Sequence, residues 1–150
     1  MDMNLDELTP SLMEFVSAAL TIGMTCLEDG ESFSPFVVLD KDGDQKVIVI
    51  EGETMPDAVD KARKIVATLG DNISRAIIAY DSYMNIDGTK YDAVIAEIRE
   101  AGSDHGLRFA QRYLNPQSGG RAEATGKKMF LGSMPLVQFY GNHDGTLPSE

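Results

Sequence analysis

Apolar residues recur at three- and four-residue steps through Leu12, Phe15, Val16, Ala19, Leu20, Gly23, Met24 and Leu27, which places them on one face of a helix. Thr9 supplies an N-cap, and Pro10 fits the first turn, where a missing N–H costs nothing. Gly30 is the expected stop. A second stripe, Met55, Ala58, Val59, Ala62, Ile65, Val66 and Leu69, predicts another helix between the near-capping box Thr54/Asp57 and a closing Gly70.

Elsewhere the period is two, or the apolar run is unbroken. Phe36 to Leu39 and Val47 to Ile50 are rich in β-branched and large apolar residues and predict two strands. Asp42-Gly43 lies between them, and Asp87-Gly88 recurs later; both dipeptides favour a type I′ hairpin, whose central residues need positive φ. Ala76 to Tyr80 is apolar on both faces, as a central strand covered on both sides should be. Tyr91 to Glu100 fits a helix or a strand by composition, and the preceding hairpin signal favours the strand. Leu107, Phe109, Gln111 and Tyr113 alternate with Arg108, Ala110 and Arg112 and extend the meander. Lys128 to Leu131 and Leu136 to Tyr140 predict a last pair of strands, broken at Gly132, Ser133 and Pro135.

This order, helix, strand, strand, helix, then a run of strands, predicts an α+β domain over residues 1–150. Two helices pack on one face of a mainly antiparallel sheet of about five to seven strands. The order resembles that of roadblock-type and profilin-like folds, in element order alone and without a shared motif. With both helices on one face, the other face would display Tyr83, Ile95, Phe109 and Tyr113, an aromatic-bearing surface suited to association.

Charge narrows the partners. A formal net charge of −11 opposes binding to a phosphate backbone, whose affinity comes from Lys and Arg displacing counterions, so no nucleic acid is expected. No apolar run approaches the ~20 residues that span a bilayer, so no membrane is expected either. The acidic start from Met1 to Glu7 lacks the basic-then-apolar pattern of a secretory leader, and the single Cys26 can form no internal disulfide. Both suit a cytoplasmic protein, with Cys26 a small buried hydrophobe on the first helix.

Two segments imitate metal sites. Asp40, Asp42, Asp44 and Glu51 occupy positions one, three, five and twelve of a calcium loop of the EF-hand type. Position six, which must be Gly for the sharp bend, is Gln45, and strand-forming runs stand where the flanking helices belong. The hairpin reading therefore prevails, and no metal or cofactor is expected. Gly141-Asn142-His143-Asp144 resembles one motif of the calcineurin-like metallophosphoesterases, which implies a metal on Asn142 and a phosphate beside His143. A two-metal centre needs several further ligands, whereas His105 is the only other histidine and no Asp-x-His occurs.

Residues 115–127, with Pro116, Ser118, Gly119, Gly120 and Gly126, have loop composition and no periodicity, and predict a flexible internal loop. No glycine-rich phosphate-binding spacing is present. With no nucleophile triad in view, the expected function is a non-catalytic interaction module that pairs with itself as a homodimer, or with another protein, through its open sheet face or its edge strand. The alternative is a small-molecule enzyme of hydrolase type. It would draw on Asp81, Asp92, Glu97, Arg108 and Arg112 across neighbouring strands, paired carboxylates serving as acid and base.

Overall fold

Thr9 opens helix α1 (Pro10–Cys26) with its side-chain oxygen accepting from Leu12 N at 3.1 Å, and Pro10 takes the first turn. The computed structural model describes residues 9–27, 33–68, 73–101, 105–114, 123–126 and 128–135. In the second helix, α2 (Met55–Ala67), Thr54 caps by accepting from Asp57 N at 3.2 Å. The helix stops at Gly30 and Gly70 and the strand expected at 136–140 lie outside the described residues, as does the Gly141–Asp144 motif.

The strands are β1 (Phe36–Lys41), β2 (Asp44–Val49), β3 (Arg75–Ile86), β4 (Thr89–Glu100), β5 (His105–Leu114), β6 (Glu123–Ala124) and β7 (Met129–Pro135). They form one antiparallel sheet in the order β2-β1-β3-β4-β5-β6, with β7 also pairing β5. The α+β class and the predicted element order hold. Tyr91 to Glu100 is strand, within the twelve pairs that β4 makes with β3. Both Asp-Gly turns adopt the expected positive φ, 52° and 92° at Asp42 and Gly43, 49° and 83° at Asp87 and Gly88.

The helices divide between the two faces of the sheet instead of sharing one. α1 packs Leu12, Phe15, Val16, Ala19 and Leu20 against Val38, Ile77, Ala79, Val94, Ala96, Ile98 and Phe109. α2 packs Ala58, Val59, Ala62 and Val66 against Val37, Ala76, Ile78, Tyr80, Ala93 and Ile95, the alternate residues of the same strands. Period two sends successive side chains to opposite sides, so strands apolar at every position need cover on both. Gly23 sets the close approach of α1: a Cβ there would lie 2.8 Å from Val94 Cγ1.

Smaller departures have local causes. Cys26 is exposed, off the buried face of α1. Ile65 is also exposed, while Arg63 takes a buried place on the sheet side of α2. The predicted break at Gly132, Ser133 and Pro135 is absent, because β7 runs through them and absorbs Leu131 as an irregularity opposite Arg108 and Phe109. Within the predicted loop 115–127, residues 115–122 and 127 lie outside the described residues, while Glu123 and Ala124 pair with Leu114 and Tyr113 as β6.

Candidate functional site: the open edge at β2

β2 ends the sheet, and among the described residues no strand pairs with its outer side. Ile50 N donates to Pro35 O at 2.8 Å, and the register places Val49 opposite Phe36 and Val47 opposite Val38. Antiparallel pairs alternate between bonded and unbonded, so Ile48, Lys46 and Asp44 turn their backbone groups toward β1. Gln45, Val47 and Val49 turn theirs outward. The two valines also expose their side chains, Val47 by 48% and Val49 by 63%. The combination of outward backbone donors and acceptors, unpaired among the described residues, with apolar side chains is the template on which a strand from another chain can pair.

The EF-hand-like residues are spent in building this hairpin. Asp40 Oδ1 accepts from Gly43 N at 3.0 Å, and Asp40 O accepts from Ser74 N at 2.8 Å, tying the turn to the start of β3. Asp40 lies on β1 opposite Gln45, Asp42 is in the turn, and Asp44 begins β2. Glu51 lies beyond the far end of β2, roughly 20 Å from Asp44 along an extended chain, too far for a shared ion.

The four residues expected on an open aromatic face are mostly interior. Ile95 faces α2, Phe109 and Tyr113 face α1, and all three are buried. Only Tyr83 is open to solvent, at 49%, with Lys90 Nζ 4.5 Å from its ring centroid. The expectation failed because it rested on the one-face placement of the helices.

The polar candidates are likewise parted by the pleat. Glu97, fully buried on the α2 side, gathers a cationic node. Arg63 donates through Nε and Nη2 to its two oxygens at 2.9 and 2.5 Å, Tyr80 donates its hydroxyl at 2.6 Å, and Arg108 Nη2 approaches at 3.3 Å. Burial first, and then the charge of Glu97, hold the Tyr80 hydroxyl well above its usual range. This node ties α2 to β3, β4 and β5; sequence reasoning found Glu97 and Arg108 but missed Arg63 and Tyr80. The signal available was an arginine falling within the apolar stripe of α2.

Arg112, also on the α2 side, stacks over Tyr91 with its guanidinium carbon 5.0 Å from the ring centroid. A side chain at Gly126 would collide with Arg112 Nη2, so the chain crosses there as glycine, at φ 73°. On the α1 side, Tyr113 donates to Asp81 Oδ1 at 2.6 Å, with Asp92 beside it in register. Burial and this hydrogen bond raise the Tyr113 hydroxyl above its usual range. The sheet thus separates Asp81 and Asp92 from Glu97, Arg108 and Arg112. A cleft of about 300 Å³ opens between α1 and β5, lined by Leu20, Met24, Gln111 and Lys128 among others. Its Gln111 amide is engaged with the carbonyls of Arg112 and Thr125 at 3.0 and 3.2 Å, and no carboxylate of the described residues lines it.

Among the described residues no helix is long and apolar enough to cross a membrane. Comparison with protein-family models, with curated proteins and with solved structures gives no match.

Proposed function

We propose that this chain is a non-catalytic, cytoplasmic protein-interaction module that recruits a strand from another polypeptide, its own kind or a different protein, to the outer side of β2. The observation that carries the reading is the coincidence, on one open edge, of outward backbone groups at Gln45, Val47 and Val49 with the exposed side chains of both valines. Main-chain pairing gives such a contact its affinity, and the alternate side chains give it selectivity. The acid–base alternative loses its main support, since its residues stand on opposite sides of the sheet.

The test compares the parent chain with Val47→Lys/Val49→Lys and with Ile65→Lys, a control that charges an exposed apolar residue on α2. Light scattering reads self-association, and affinity capture reads bound proteins. The double variant is expected to lose whatever oligomer or partner the parent shows, and the control to keep it. Retention by the double variant would place the interaction elsewhere and overturn the proposal.

A further inference from the structure

The occupant of the β2 edge can be specified further, on the premise that the edge is the docking site. We infer that β2 receives an extended segment of a basic protein, apolar at its centre and carrying Lys or Arg toward both ends.

The argument is one of charge placement along the edge. Val47 and Val49 sit at its middle, one pleat apart on the same side of the sheet, and ask for apolar residues opposite them. Asp42 and Asp44 stand exposed at the hairpin end, and Glu51 and Glu53 stand exposed where the chain leaves the strand. Residues 40–53 carry five carboxylates, Asp40, Asp42, Asp44, Glu51 and Glu53, against two lysines, Lys41 and Lys46. Lys61 contacts this region by donating to Glu51 O at 2.9 Å, a backbone carbonyl, and so leaves the Glu51 carboxylate unpaired by that contact.

The whole-chain charge acts in the same direction. At −11, two copies of this chain repel on approach, and a symmetric β2 pair would bring their acidic rims together. A basic segment meets attraction from the field at long range and from the rim at short range. Backbone pairing then uses the outward groups of Gln45, Val47 and Val49, which no residue of β1 engages.

The experiment uses the full chain and two fluorescent ten-residue peptides of the same Val/Thr core, one flanked by lysines and the other by glutamates. Binding is read by anisotropy at low and high salt, with light scattering in parallel. The lysine peptide is expected to bind, to weaken about tenfold between 50 and 500 mM salt, and to outbind the glutamate peptide at least about tenfold. The variant Asp42→Asn/Asp44→Asn/Glu51→Gln/Glu53→Gln keeps the valines and should lose most of that preference. Val47→Lys/Val49→Lys should lose binding altogether. Equal binding of both peptides, or an unchanged preference in the neutralised variant, would overturn the basic occupant. Self-association through the valines that strengthens with salt would make a second copy the occupant, overturning this inference while leaving the interaction module intact. A chain that neither binds a peptide nor associates would overturn both.

Discussion

The two Asp-Gly hairpins have the same turn and opposite fates. β1–β2 and β3–β4 both reverse through a type I′ pair with nearly identical positive φ values. Yet β4 is buried without interruption from Ala93 to Ile98, whereas β2 is exposed at five of its six positions. Turn geometry is a local property of two residues; burial depends on which side chains other elements bring over the strand. The β3–β4 hairpin lies between two helices and becomes the core. In the β1–β2 hairpin Phe36 to Val38 of β1 still lie under the helices, while β2 lies beyond β1 and offers an edge.

The largest expected difference between the two regions comes from charge. Glu97→Ala removes the buried carboxylate that Arg63, Tyr80 and Arg108 share, and should cost about 3–5 kcal/mol in denaturant melts. A loss below about 1 kcal/mol would mean that the node contributes little to holding α2. Truncation sharpens the same contrast. Ile95→Ala should cost about 2–5 kcal/mol and Val49→Ala no more than about 0.5 kcal/mol, as expected of buried and surface positions. Comparable losses at the two sites would contradict the division into core and edge.

Alkaline titration probes the interior hydroxyls. Tyr113 is raised above the usual 10.0 by burial and by its bond to Asp81, and Tyr80 by burial and by Glu97. The unfolded tyrosines release protons near pH 10 while the folded ones retain theirs, so stability present below pH 10 should fall as the pH rises beyond it. Tyr113→Phe should flatten part of that decline. A melting temperature that stays level from about pH 9 to pH 11 would refute the assignment.

The smallest effect tests the shared turn itself. Gly43→Ala and Gly88→Ala meet no neighbour within 4 Å, so each should cost only the left-handed strain, about 1–2 kcal/mol, and the two costs should agree. A disparity above about 1 kcal/mol in thermal melts would show that burial reaches into the turn.

Much of the fold was legible because its signals are local. Thr9 and Thr54 cap the helices they were expected to cap, and Asp42-Gly43 and Asp87-Gly88 turn as their chemistry requires. The strand at Tyr91 to Glu100 followed from the hairpin before it. The division of the helices was also written in the chain, in the double-faced apolar runs Ala76–Tyr80 and Ala93–Ala96, which no one-sided layer could cover. The edge was harder to see. Val47 and Val49 have the composition of interior residues, and only the strand order leaves them outside.

The sequence by itself determined the two helices, the alternation of the strands and the reversals between them, since each depends on residues a few positions apart. Only the tertiary structure decided which apolar residues became core and which became edge. It assembled Arg63, Tyr80, Glu97 and Arg108 from four elements into one buried node, and divided Asp81 and Asp92 from Glu97 and Arg112. The reason is that contact across a sheet depends on register and strand order, which couple residues far apart in the chain, while period two fixes only the side on which each one stands.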